Sequence, residues 1–119
     1  MKNQQPAQPT DWKTEELPKQ HGKIPLNRLF SAKQMDQIMM GLVPSEMEDR
    51  WFICWANDTL MFHRSWTGSC IYVVRFAHEQ GGLRMVEAMV NRDPSQYTVV
   101  DDNYDAKLIE SLIETFLLH

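Results

Sequence analysis

Between two apolar stretches the chain reads Phe62-His63-Arg64-Ser65-Trp66-Thr67-Gly68. Ordinary reversals are built from Gly, Pro, Asn and Asp; this one carries a guanidinium, an imidazole, two hydroxyls and an indole. The planar fork of Arg64, the hydroxyls of Ser65 and Thr67 and the Gly68 amide are the groups that hold a phosphate or carboxylate. Trp66 offers a face for a ring or an apolar contact. Strand pairing brings Arg50 beside Ser65. The candidate ligand-binding set is therefore Arg50, His63, Arg64, Ser65, Trp66, Thr67 and Gly68. The same residues also admit a purely structural reading, in which Arg64 pairs with Glu48 or Asp49 and lies over Trp51 while Trp66 caps the core.

A catalytic reading is also open. His63 falls directly opposite Cys70 when the strands are counted out, and an imidazole beside a thiol can hold it as the nucleophilic thiolate. With Glu48 as an alternative partner, His63 would serve a hydrolase or transferase acting on a nucleotide-linked substrate. No orienting third residue or oxyanion motif accompanies the pair, so a packed cysteine and a hydrogen-bonded histidine is the simpler account. His21, His63, His78 and His119 are scattered and form no metal-ligand spacing. No phosphate loop or dinucleotide-binding glycine pattern occurs. Neither a metal nor a cofactor is expected.

The elements that must position these groups follow from pattern. Ser31-Ala32-Lys33-Gln34 is a capping box opening a short helix over Met35, Ile38, Met39 and Leu42, with Gly41 suited to its left-handed end. Residues 50–91 are strand-rich. Asn57-Asp58 is a two-residue hairpin turn, residues 65–68 a four-residue turn, and Gln80-Gly81-Gly82 a third. Leu83, Val86 and Val90 also fit a helix face, but the two glycines before them favour a fourth strand. Asp93-Pro94-Ser95-Gln96 reads as a capped single turn. Leu108, Ile109, Leu112, Ile113, Phe116 and Leu117 make an amphipathic C-terminal helix, capped at 101–103, with Asp105 favourable near its positive end. The fold class is α+β: an antiparallel meander of three or four strands packed by the short helix and the C-terminal helix. Residues 1–23, with Pro6, Pro9 and Pro18, read as a mobile arm in which Trp12 is the side chain able to dock. Residues 24–119 form one domain.

Counting from the turns pairs 55 with 60, 53 with 62 and 51 with 64, then 64 with 69, 62 with 71 and 60 with 73. Trp51, Ile53, Trp55, Leu60, Phe62, Ile71 and Val73 then share one face, and Phe52, Cys54, Met61, His63, Cys70, Tyr72 and Val74 the other. Both faces are apolar, and one helix on each would cover them. Cys54 and Cys70 lie out of line for a disulfide.

Twelve basic and sixteen acidic side chains give a formal charge of −4. That balance argues against a nucleic-acid partner, which needs surplus Lys and Arg, and against an anionic membrane surface. No apolar run suits a bilayer span or a signal peptide, so a cytoplasmic location is expected.

The strings Met47-Glu48-Asp49-Arg50-Trp51-Phe52, Phe62-His63-Arg64-Ser65-Trp66-Thr67-Gly68 and Val90-Asn91-Arg92-Asp93-Pro94, spanning about residues 47–95, resemble a group of small bacterial domains loosely associated with proteins that carry ADP-ribose-binding macrodomains. The resemblance implies ADP-ribose or nucleotide-linked biology and carries over no catalytic residue. The expectation is a small binding or accessory module, not itself an enzyme, that recognises an anionic small molecule or a protein partner through the 63–68 turn. The alternatives are the hydrolase or transferase above and a small inhibitor or immunity-type protein that binds through its acidic C-terminal helix or Met-rich helix.

Overall fold

The computed structural model describes residues 5–119. It contains β1 (His21–Ser31), α1 (Ala32–Ile38), β2 (Trp51–Ala56), β3 (Thr59–Arg64), β4 (Cys70–Glu79), β5 (Gly82–Asn91) and α2 (Asp102–Leu112), which runs on as a wider turn over Ile113–Leu117. The strands form one antiparallel sheet in the order β1-β5-β4-β3-β2. The α+β class is as expected, and β2 to β5 are the meander, with residues 82–91 extended. The sheet has a fifth strand, β1, across the expected boundary between arm and domain. Its apolar signal is thin: Ile24 and Phe30 are buried, and the residues beside them are half-buried or exposed. Pro25 fits because β1 is an edge strand, interrupted by a bulge between Pro25 and Arg28.

The first hairpin pairs Trp55 with Leu60, Ile53 with Phe62 and Trp51 with Arg64, as counted. Its turn residues Asn57 and Asp58 both have positive φ (53° and 60°), the conformation that a tight hairpin requires. The second hairpin departs from the count. His63 pairs with Cys70, but a bulge at Ile71 then sets Phe62 against Tyr72 and Leu60 against Val74. One extra residue inverts every later side chain. Tyr72 and Val74, expected on the face of Cys54, instead join Trp51, Leu60 and Phe62 in the main core, and Val73 turns away.

Both helices cover that one face. Met35 and Ile38 of α1, and Ile109, Leu112, Ile113 and Leu117, pack with Phe30, Ile53, Phe62, Phe76, Met85 and Val90. The capping box forms as expected: Gln34 N donates to Ser31 Oγ (3.1 Å) and Ser31 N to Gln34 Oε1 (2.9 Å). Leu118 N reaches back five residues to Ile113 O (3.1 Å). This wider winding carries Phe116 off the apolar stripe, and it is 41% exposed. The opposite face, over β2 and β3, is covered by the arm. Ala7 and Trp12 pack on Phe52, Cys54 and Met61, with Trp12 stacked on Phe52 at 6.1 Å between ring centroids. Trp12 Nε1 donates to Ser65 O (2.9 Å), Ala7 N to Met40 O (2.8 Å) and Glu15 N to Gly68 O (2.9 Å). Of the arm expected over residues 1–23, residues 1–4 lie outside the described residues, while Ala7, Trp12 and Glu15 make these contacts with the domain.

A fully buried carboxylate joins the core layers. Asp105 Oδ1 accepts from Tyr72 Oη (2.8 Å) and Tyr97 Oη (2.5 Å), and Asp105 Oδ2 accepts from Arg92 (2.7 Å). Arg92 also bonds Asp102 (2.7 Å) and Val99 O (3.0 Å). Burial, followed by the close approach of Tyr97 Oη (2.8 Å) and then the bond to Asp105, pushes the Tyr72 phenol well above its ordinary range. Burial likewise raises the Tyr97 phenol. Both phenols therefore remain hydrogen-bond donors. Removing one partner from such a buried charged cluster leaves the others unanswered. In urea unfolding, Asp105→Leu should lose about 3–5 kcal/mol. Asp102→Ala, which removes a largely exposed carboxylate, should lose about 1 kcal/mol or less.

Candidate functional site

The 64–68 turn closes through its own backbone: Arg64 N donates to Ser69 O (2.9 Å) and Gly68 N to Arg64 O (2.8 Å). Gly68 has φ 79°, and a Cβ there would come within 2.6 Å of Lys13 O, so only glycine fits between the turn and the arm. The turn is tied to residues 47–50 by three bonds. Ser65 N donates to Arg50 O (2.9 Å), Ser65 Oγ to Asp49 O (2.7 Å) and Trp66 Nε1 to Met47 O (3.0 Å). Trp66 is thus anchored by its N–H while 73% exposed.

Arg64 lies with its guanidinium 4.6 Å from the centroid of the Trp51 ring and 5.9 Å from that of Tyr97. Trp51 is stacked on Tyr72, 6.1 Å away and 15° from parallel. The buried Asp105 cluster therefore supports a layered stack that ends in a half-buried cation. Arg50, Arg64, Trp66, Thr67 and Gln96 line one cleft of about 270 Å³.

Charge pairing sets this cleft apart. Arg28 pairs with Glu110 and Glu114, Arg75 with Glu87, Arg84 with Glu79, and Arg92 with Asp102 and Asp105. Among the described residues Arg50 and Arg64 form no ion pair, and both face the same cleft. The adjacent acid, Asp49, is engaged within its own loop by Ser45 N (2.9 Å), Ser45 Oγ (3.1 Å) and Glu46 N (3.1 Å). Those bonds, the Ser45 amide first, lower its carboxyl below the ordinary range. The expected Arg64 pairing with Glu48 or Asp49 does not form, whereas its stacking on Trp51 does. Trp66 does not cap the core.

The structure thus brings Arg50, Arg64, Trp66 and Thr67 together. The Gly68 amide, expected to meet a ligand, is used within the turn, and the Ser65 hydroxyl holds the 45–49 loop. Ser65 and Gly68 line a second hollow with Asp11, Trp12 and Lys13, which Trp66 and Thr67 also border. His63 is 5% exposed, lies against Phe52 (5.9 Å) and places Nδ1 3.2 Å from Gly68 O. Cys70 stands opposite it, 2% exposed, with its Sγ 3.8 Å from Tyr72 O. Burial lowers the imidazole below 6.5 and pushes the thiol up to about 12. A neutral imidazole beside a protonated thiol is the reverse of an activated pair. Glu48 is exposed at the rim of a hollow with Arg50, Trp51 and Phe116, and bonds neither residue. No cluster of His, Cys, Asp and Glu among the described residues is placed to hold a metal ion, and no described helix is long and apolar enough to cross a membrane.

Gln96 was absent from the expected set. Its turn was legible, and forms with Ser95 N on Asp93 Oδ1 (2.9 Å) and Gln96 N on Asp93 O (2.9 Å). That β5 delivers this turn alongside Arg64 depends on the sheet order. Comparison of the chain with protein-family models, curated proteins and solved structures finds no match.

Two measurements test the arm-covered face. His63 is neutral in the fold and takes up a proton on unfolding, so its depressed value leaves stability intact above pH 6.5. Stability then falls as pH drops below 6.5, with a slope of at most about 1.4 kcal/mol per pH unit. Urea midpoints should show this decline in the wild type and a shallower one in His63→Gln. Burial also pushes Cys54 up to about 11. Thiol modification of the native protein should accordingly be slow near neutrality and still accelerating at alkaline pH, with no plateau. Trp12→Ala, which uncovers Phe52 and Cys54, should speed it.

Proposed function

We propose that the protein is a non-catalytic recognition module whose cleft binds an anionic ligand of nucleotide or ADP-ribose type. The observation that carries this reading is the pair of guanidinium groups, Arg50 and Arg64, without carboxylate partners among the described residues of a chain with formal charge −4. Elsewhere its arginines are matched to acids. Arg50 is exposed, but Arg64 is a half-buried cation with no acid beside it, and an anion that displaces its remaining water gains charge-assisted bonds. Arg64 is oriented by its stack on Trp51, so little side-chain freedom is lost when a ligand arrives. Trp66 stands beside it with an open ring face for a base or another planar group.

A protein partner is the second reading, favoured by the exposure of Trp66 (73%) next to Met47 (75%). Tryptophan, arginine and methionine are enriched at protein interfaces. An acidic side chain of such a partner would enter between the same two arginines.

Thermal unfolding in the presence of nucleoside mono- and diphosphates and ADP-ribose tests the leading reading. A ligand supplied at about a hundred times its Kd adds about 2.7 kcal/mol, which raises Tm by several degrees. At least one compound should do this for the wild type and fail for Arg64→Ala. If every compound shifts both proteins equally or neither, the small-ligand reading is wrong. Capture of one stoichiometric acidic protein by the wild type, lost in Arg64→Ala, would instead establish the partner reading.

A further inference from the structure

We infer that the cleft is built for a phosphate monoester, with Gln96 as the residue that sets this preference. This rests on the reading of Arg50 and Arg64 as an anion site and narrows it to ligands ending in a phosphate monoester, such as a nucleoside monophosphate, which excludes ADP-ribose because its pyrophosphate is esterified at both ends.

The inference comes from a chain of hydrogen bonds that determines which way Gln96 presents its amide. Asn91 is fully buried. Its Oδ1 accepts from Asp93 N (2.8 Å) and its Nδ2 donates to Cys70 O (2.8 Å). Backbone groups on both sides thus fix the Asn91 amide in one orientation. Its second N–H points to Gln96, 2.9 Å away, so Gln96 must answer with its carbonyl Oε1. With Oε1 so engaged, the Gln96 NH₂ group has no partner among the described residues and is the part of this cleft-lining side chain left for a ligand.

Thr67 is set in the same sense. Its Oγ1 accepts from Ser69 N (3.2 Å), which leaves the hydroxyl hydrogen for a ligand. Arg50 and Arg64 are donors only. Trp66 has its N–H on Met47 O and contributes its ring face. The polar side chains lining the cleft therefore offer it N–H and O–H groups and no carboxylate. A sugar hydroxyl, an amide or a base edge needs acceptors as well as donors, and meets too few here. A carboxylate supplies two oxygens in one plane. A phosphate monoester supplies three acceptor oxygens in a tetrahedral spread and a charge near −2. It can meet both guanidinium forks, Thr67 and Gln96 together. The cleft volume of about 270 Å³ admits the phosphate and one ring beside Trp66, and leaves the rest of a larger molecule outside.

The test compares phenyl phosphate with benzoate, which share a ring and differ in the anion, by calorimetric titration of the full chain. Phenyl phosphate should bind the wild type about tenfold more tightly than benzoate, a difference of about 1.4 kcal/mol. Gln96→Glu keeps an oxygen for Asn91, removes the NH₂ donor and puts a charged oxygen in its place, a repulsion that a phosphate dianion feels about twice as strongly as a carboxylate. This half-buried position tolerates the change, which a circular dichroism melt verifies. The variant should bind phenyl phosphate about tenfold or more weakly and lose the preference over benzoate. Equal affinity for the two anions, or phosphate binding unchanged in Gln96→Glu, would overturn the phosphate assignment while leaving an anion site in place. Binding of neither anion, or binding unaltered by Arg64→Ala, would overturn the anion site itself and this inference with it.

Discussion

A carboxylate with no access to water must be answered by donors, and those that answer Asp105 come from separate parts of the chain. Tyr72 reaches it from the middle of the sheet, Arg92 from just past β5, and Tyr97 from the turn that follows. Low polarity makes each bond strong and each omission costly. The cluster therefore does more than add stability: it determines where β4, the 93–97 segment and α2 sit relative to one another. Tyr97 is thereby held beneath Arg64 and Tyr72 beneath Trp51. The cleft is the exposed surface of that buried arrangement.

This support explains how Arg64 can stand without an acid. A flexible surface arginine in a chain with excess negative charge would find a carboxylate, as Arg28, Arg75, Arg84 and Arg92 do. Arg64 is kept from doing so by its stack on Trp51, and Asp49 by the bonds of its own loop. The arm completes the mounting from behind, with Trp12 on Ser65 O and Lys13 closing over Gly68. Preorganisation of this kind reduces the ordering that binding would otherwise require. The opposite outcome holds for His63 and Cys70, which the register brings face to face but which lie under the arm, where burial opposes charge on both.

Much of the architecture was legible because its signals are local. The Ser31 capping box, the Asn57-Asp58 hairpin, the Asp93 turn and the periodicity of the C-terminal helix as far as Ile113 each arise from neighbouring residues and form as expected. Of the candidate site, Arg50, Arg64, Trp66 and Thr67 converge, while Ser65, Gly68 and His63 face other work. The bulge at Ile71 left no mark in the residue pattern, yet it moved Tyr72 and Val74 to the other face. β1 was hidden because an edge strand carrying a proline and a bulge buries few side chains. Asp105 did leave a signal. It lies one helical turn before Ile109, on the apolar stripe, where an acid needs a better reason than the helix dipole.

The sequence by itself determined the elements other than β1 and the chemistry concentrated in the 62–68 segment, since both depend on contacts a few residues apart and on side-chain type. Tertiary structure alone decided which groups share the cleft. Gln96 shares the cleft with Arg64 because β4 stands between β5 and β3 in the sheet, and its Oε1 is taken by Asn91, which the Cys70 carbonyl and the Asp93 amide fix. Whether an arginine is paired or free, and whether a histidine is wet or dry, depends on residues far apart in the chain. Such distances are set by the packing of the whole sheet against its helices and its arm.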